Sequence, residues 1–259
     1  MIVGIIGMGY VGSAVASSLP DNLTVKYDPI VRPYNSTDFN ELLNCDAVVI
    51  CVPTPTRYDG SCNTSIILST LEKLESFKGV IISKSTAPPT FYEKMFSMYP
   101  NLVYVPEFLR ANSATDDYTS TQIAIYGGAQ HWAGQASKAL TQGTYRPSKS
   151  IFTDIKTAAL YKYLTNSFLA TKVVWMNEFK DLADSLGVKW NDIRMLCDSD
   201  ARIGIGHTQV PGPDGHLGYG GGCFPKDINA ILSLAKGQGI ELSVLDQVVA
   251  KNDKIRQKI

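Results

Sequence analysis

Residues 1–12 read MIVGIIGMGYVG, and the fold follows from how this stretch divides. Ile2 to Ile6 is a short β-rich run. Gly7, Gly9 and Gly12 then fit G-x-G-x-x-G, and a helical pattern runs from Ser13 to Leu19. In such a strand–turn–helix the first glycine makes the tight turn. The second lets the backbone approach a pyrophosphate, and the third packs helix on strand, while the N–H groups at the helix start face the phosphates. A glycine-rich turn by itself binds nothing in particular. The strand before it and the helix after it make this one a dinucleotide seat, to which the intervening Met8, Tyr10 and Val11 are also assigned.

Further strands are expected at Thr24 to Tyr27, Ala47 to Val52, Val80 to Lys84, Leu102 to Val105 and Gln122 to Tyr126, with a last one at Ser148 to Thr153. Most are Val/Ile-rich without polar alternation, as in a parallel sheet buried on both faces. Helical segments such as Ile66 to Phe77 separate them. The pattern predicts an α/β fold with a Rossmann-type, doubly wound parallel sheet over residues 1–150. Asp28 ends the second strand, where a carboxylate accepts hydrogen bonds from the adenosine ribose and repels a 2′-phosphate. This favours NAD as cofactor. The competing readings are a turn aspartate before Pro29 and a phosphate-binding role for Arg32.

From residue 151 to 259 the pattern becomes all-helical. Residues 158–186 contain no Gly or Pro and carry apolar residues at helical spacing, with Thr153 or Asp154 as N-cap and Gly187 as C-cap. A shorter helix is expected at Asn191 to Cys197. Residues 204–222 are dominated by Gly and Pro and read as an ordered functional loop or a mobile lid. Helical pattern resumes at Lys226, with a break at Gly237 to Gly239. So apolar a long helix, Tyr161 to Leu186, asks for cover on more than one side, which predicts a homodimer built through this helix and the C-terminal helical segments.

The chain has 259 residues, 44% hydrophobic and 19% charged, with formal net charge zero. That balance points to no nucleic-acid or membrane partner. The five cysteines show no paired spacing, so neither a disulfide framework nor a metal site is suggested, and a reducing, cytoplasmic setting is expected. Of these, Cys223 stands apart: it lies in GYGGGCFPKD (218–227), after three glycines and just before Pro225, which suits a first helical turn. A thiol at a helix N-terminus beside Lys226 has its thiolate favoured. Cys45, Cys51, Cys62 and Cys197 read as small buried residues.

GMGYVG (7–12), VPTPT (52–56), KST (84–86), PEFLR (106–110), KYLTNSFLATK (162–172), ARIG (201–204), PGPDG (211–215) and GYGGGCFPKD (218–227) together resemble the UDP-glucose/GDP-mannose dehydrogenase family. The resemblance spans nearly the whole chain. It implies a four-electron oxidation of a nucleotide sugar, most like UDP-glucose, at C6 with two NAD. Cys223 would capture the aldehyde as a thiohemiacetal that becomes a thioester. Lys162 and Asn166, four residues apart on one helix face, would donate to the developing oxyanion. By the same resemblance Asp227 would work with that lysine and a water, Glu107 would be the general base for hydrolysis, and Thr86 would hold the water or the cofactor. Pro53, Thr54 and Thr86 join the cofactor set. Glu107, Phe108, Leu109, Arg110, Lys162, Asn166, Arg202, Tyr219, Gly220, Gly221 and Lys226 form the substrate set.

Two departures are visible. Ala159 and Val105 stand where the family often has Glu and Asn. The sequence stops at Ile259, where family members usually continue into another nucleotide-binding domain, so a short form, a fragment or a separate chain supplying that domain is expected. The alternatives are a GDP-mannose or other nucleotide-sugar enzyme, a single-step hydroxyacid-type dehydrogenase with no need for Cys223, and a silent NAD-binding subunit.

Overall fold

A computed structural model describes residues 1–257. The chain divides into two compact units. The first comprises Met1–Pro55 and Cys62–Lys162; the second comprises Thr56–Ser61 and the chain from Tyr163 onward.

The first unit is built on a seven-stranded sheet: β1 (Val3–Ile6), β2 (Thr24–Tyr27), β3 (Ala47–Ile50), β4 (Val80–Ser83), β5 (Leu102–Tyr104), β6 (Ile123–Gly127) and β7 (Lys149–Thr153). Their order is β2-β1-β3-β4-β5-β6-β7. Its helices are α1 (Tyr10–Ser18), α2 (Phe39–Leu42), α3 (Ser65–Lys73), α4 (Pro89–Met98), α5 (Ala114–Thr119) and α6 (Gln130–Leu140). Alternate strand residues feed two cores. Val3, Ile5, Val49, Ile82 and Val103 pack with the α1 and α6 residues Val15, Ala133 and Leu140. Ile6, Val48, Ile50, Ile81 and Tyr104 pack with Leu42, Ile67, Leu71 and Tyr92. The central strands β1, β3, β4 and β5 are thus covered on both faces, which is why they are almost wholly apolar, whereas β2 (TVKY) and β7 (KSIFT) at the edges carry polar residues.

The sheet departs from the all-parallel expectation at one junction. β5 and β6 meet antiparallel at Tyr104↔Gly127, whereas β6 and β7 run parallel over five residue pairs. The connection from β5 to β6, residues 105–122, is long enough for a crossover, but its one α-helix is the six-residue α5, and its Leu109, Ala114 and Tyr118 pack into the core on the α1 side. β6 then runs beside β5 in the opposite direction.

Helix α7 (Ile155–Ser185) belongs to the first unit up to Lys162 and to the second from Tyr163. Asp154 caps it: its Oδ1 accepts from the Thr157 backbone N–H at 2.8 Å. Gly187, with φ +67°, ends it in the left-handed conformation. The second unit continues with α8 (Trp190–Ser199), α9 (Phe224–Gly237) and α10 (Ser243–Arg256). Its core joins Ala170 and Val174 of α7 to Tyr219, Ile228, Leu245, Val248 and Ile255. Among the described residues no helix is long and apolar enough to cross a membrane.

Candidate active site

The glycine fingerprint lies between β1 and α1, as its spacing requires. Gly7 takes φ +92°, and its N–H donates to the Tyr27 carbonyl at 2.9 Å. A Cβ on Gly12 would fall 1.8 Å from the Gly7 carbonyl oxygen, so the helix can pack this closely only with glycine there. Gly9, the N-cap of α1, is different. A Cβ there would meet no protein atom within 4 Å. The fold needs Gly7 and Gly12; the space over Gly9 suits a ligand. A cleft of about 520 Å³ opens at that point, lined by Met8, Gly9, Tyr10 and Ser13 on one side and by residues 112–116 on the other. Phosphates placed over Gly9 would face the amino end of α1. Tyr10 is exposed at the rim, and Val11 lies within the first turn of α1.

Asp28 follows β2 and is buried beside the fingerprint. Its Oδ2 accepts the Met8 N–H at 2.8 Å, and its Oδ1 accepts those of Ile30 (2.9 Å) and Val31 (3.0 Å). Burial pushes its carboxyl up, but these three backbone donors outweigh it and hold the group below the usual carboxylate range. An ionised Asp28 at the end of the second strand suits ribose hydroxyls and opposes a 2′-phosphate. The residues present therefore fit NAD.

At the carboxyl ends of β3, β4 and β5 the first unit gathers Thr54, Lys84, Thr86 and Glu107, with Pro53 exposed. Thr54 and Thr86 are buried. Glu107 is held by its own turn: Oε2 accepts the Leu109 N–H at 2.7 Å. Lys162 of α7 sits 3.4 Å from Glu107 Oε1 and also donates to the Glu107 carbonyl. Its ammonium lies 4.9 Å from the Phe108 ring centroid. Lys162 is 3% exposed, which excludes a solvated helix face. Arg110 is committed elsewhere: Nε and Nη2 clasp Asp117 at 3.0 and 2.7 Å, fixing the 110–117 turn.

In the sequence Lys84 reads only as the end of the expected strand Val80 to Lys84 and as part of KST, with no role of its own. It is buried, with its ammonium 5.0 Å from the Tyr118 ring centroid and 5.9 Å from that of Tyr145. Burial pulls its pKa down to about 8. Cys51 and Glu107 act to raise it, and Lys162 to lower it further. Its position just past the end of β4 was the available signal, because ligands in open α/β sheets bind outside the carboxyl ends of the strands.

In the second unit Asn166, also on α7, donates from Nδ2 to Asp227 Oδ2 at 2.6 Å, both side chains being buried. Lys226 donates to the other oxygen, Oδ1. Asp227 stands on the first turn of α9, and its N–H donates to the Cys223 carbonyl at 2.9 Å. Cys223 is the N-cap residue of that helix and is exposed, whereas Cys45, Cys62 and Cys197 are buried and Cys51 is intermediate. Burial pushes the Cys45 thiol to about 11 and the Cys51 thiol to about 12. Tyr219 is buried next to Gly220 and Gly221 in the segment leading to Cys223. Arg202 is exposed and paired with Asp200 through Nε (2.9 Å) and Nη2 (2.7 Å).

A Rossmann unit with a phosphate-ready fingerprint and an acidic residue at the end of its second strand defines the class as a Rossmann-type NAD-binding protein. Residues 31–147 match the NAD binding domain of the UDP-glucose/GDP-mannose dehydrogenase family, and residues 156–254 match its central domain. The chain belongs to that family, of which it contains these two domains. It is 33% identical over 231 residues to a UDP-glucose 6-dehydrogenase of Rickettsia prowazekii (strain Madrid E), covering 84% of this chain and 51% of that protein. It is likewise 33% identical over 233 residues to the UDP-glucose 6-dehydrogenase of Pseudomonas aeruginosa (84% and 50% covered). The chain thus spans about half the length of the curated relatives it matches. A UDP-glucose dehydrogenase structure from the archaeon Pyrobaculum islandicum superposes with TM-score 0.80 at 24% identity, over 97% of this chain and 68% of that one, a likeness of fold.

Proposed function

We propose that the chain carries out the four-electron oxidation of a nucleotide sugar, UDP-glucose to UDP-glucuronate, through a covalent Cys223 adduct. The carrying observation is that, among the described cysteines, Cys223 alone is exposed, and it heads a helix whose first turn carries Lys226 and the buried Asp227, the latter hydrogen-bonded to the buried Asn166 of α7. NAD, when bound at the fingerprint, supplies the hydride acceptor for each of two oxidations.

In the first oxidation the C6 alcohol gives up a hydride and a proton and becomes an aldehyde. The Cys223 thiolate adds to the aldehyde carbon, forming a C–S bond; the oxygen takes a proton, giving a thiohemiacetal. Loss of a second hydride and a proton leaves a thioester. Water, deprotonated by Glu107, attacks the acyl carbon; the C–S bond breaks, and the carboxylate leaves with the thiol restored. Lys162 and Asn166 are assigned to the oxyanion and Asp227 to orienting Asn166 and Lys226. Thr86 is assigned to the water or the cofactor. Phe108, Leu109, Tyr219, Gly220 and Gly221 are assigned to the sugar, and Arg202 and Lys226 to its phosphate or hydroxyl oxygens; Arg110, clasped by Asp117, is assigned to holding the 107–110 segment of the substrate set.

We also propose a cytoplasmic homodimer. Leu164, Phe168, Trp175, Phe179, Leu182 and Leu186 form a stripe along α7 and its end, each 45–69% exposed in the single chain. A second copy is the proposed cover.

The test counts NADH per nucleotide sugar consumed by the purified chain. Two per sugar supports the reading, one favours the single-step alternative, and none at any sugar or protein concentration removes it.

A further inference from the structure

Three glycines, Gly220 to Gly222, tether Cys223 to Tyr219, and a glycine tether has the most conformational freedom to lose. The residue at its upstream end is unusually well tied. The Tyr219 N–H donates to Asn252 Oδ1 at 2.8 Å, and its carbonyl accepts from Asn252 Nδ2 at 3.1 Å, so one α10 amide satisfies both backbone groups. The same carbonyl accepts from Arg256 Nε at 2.9 Å, while Arg256 Nη2 reaches Asp214 at 2.8 Å. One residue earlier, the Gly218 N–H donates to Asn177 Oδ1 on α7 at 3.1 Å. The Tyr219 ring packs edge-on to Phe224, the first residue of α9, at 6.2 Å. Arg256 also lies close against the tether, since a Cβ on Gly220 would fall 1.6 Å from its Nη2.

We propose that Asn252 and Arg256 are positioning residues. Through Tyr219 they fix the glycine tether so that it presents its backbone to the nucleotide sugar and holds Cys223 toward the carbon to be captured. Neither touches the reacting atoms, and α10 serves as the backstop of the nucleophile loop. The inference rests on the proposal that this loop receives the sugar, and its test separates the two.

Wild type, Asn252→Ala, Arg256→Ala and Arg256→Lys are compared by three measurements. Amide hydrogen exchange reports the mobility of residues 214–222. The UDP-glucose concentration that half-protects Cys223 from iodoacetamide reports sugar binding. NAD affinity and the thermal midpoint report the rest of the fold. The expected result for Arg256→Ala is faster exchange at Gly218 to Gly222 and a half-protecting concentration raised about tenfold, the equivalent of one charge-assisted hydrogen bond. NAD affinity should be unchanged. Arg256→Lys keeps the charge opposite Asp214 but not the fork, so it should lie between the two. If Asn252→Ala does not fold, the two Arg256 variants, at the last turn of α10, still decide. Unchanged exchange, or faster exchange with unchanged half-protection, overturns the positioning role. If the wild-type thiol is protected by no nucleotide sugar, the functional proposal fails, and the exchange measurement still decides whether α10 holds the loop.

Discussion

Lys84→Met should reveal how much stability this protein gives up to keep an ammonium inside its first unit. Lys84 lies buried past β4 against the Tyr118 and Tyr145 rings, and burial lowers its pKa from 10.5 to about 8. In the unfolded chain it returns to the ordinary lysine value. Between pH 8 and 10.5 the unfolded lysine therefore holds a proton that the folded one has released, and stability rises with pH across that window. At about 1.4 kcal/mol per pH unit the interval amounts to about 3 kcal/mol. The burial cost is fully present below pH 8 and gone above pH 10.5. Methionine keeps the aliphatic packing and removes the charge. Urea unfolding of both proteins from pH 7 to 10.5 gives the difference in stability, in which the other titrating groups cancel. The variant should exceed wild type by a constant amount below pH 8, and that excess should shrink by about 3 kcal/mol on the way to pH 10.5. A difference that stays flat across the range, or widens, would falsify the assignment of a buried, charge-strained Lys84.

Cys223→Ser should fold and bind NAD as wild type does but lose steady-state formation of the second NADH, because a serine adduct is an ester and a poorer acyl donor; undiminished production of two NADH per sugar would refute the covalent route. Limited iodoacetamide at pH 8 should label Cys223 before Cys45 and Cys51, whose thiols at about 11 and about 12 leave a thiolate fraction on the order of 10⁻³ or less; peptide mass spectrometry reads the order. Asp28→Ala should weaken NAD binding and narrow the preference over NADP, measured by titration calorimetry; tighter NADP than NAD binding by the unmodified protein would contradict the ribose role. Phe168→Glu with Phe179→Glu should leave far-UV circular dichroism intact and halve the mass seen by light scattering; a wild-type monomer at micromolar concentration would remove the homodimer.

The Rossmann unit was legible because its central strands, β1, β3 and β4, are buried on both faces and so read as Val/Ile-rich runs. The long helix was legible for a similar reason: its caps, Asp154 and Gly187, are local signals, and both act as caps in the structure. The antiparallel entry of β6 was not, since strand direction depends on whether the intervening chain crosses the sheet, and no residue in 105–122 encodes that by itself. At the site, residue types pointed to candidates, but their partners did not show. Asn166 finds Asp227 61 positions along the chain, and Arg110 is engaged by Asp117 seven residues on. Lys84 looked like the end of a strand; only the folded chain brings Tyr118 and Tyr145 over it.

Gly9 bears on how this protein would behave under selection for heat resistance. Its backbone, φ −74° and ψ −162°, is extended rather than left-handed, and nothing stands in the way of a methyl group. Gly9→Ala would therefore be expected to raise stability by about 0.4–1 kcal/mol, through the restricted unfolded chain. A library sorted on melting temperature without NAD would enrich the change, and the winners would carry a methyl group where the pyrophosphate has to rest. Sorting the same library with NAD present would reject it, so the two screens would move this one position in opposite directions.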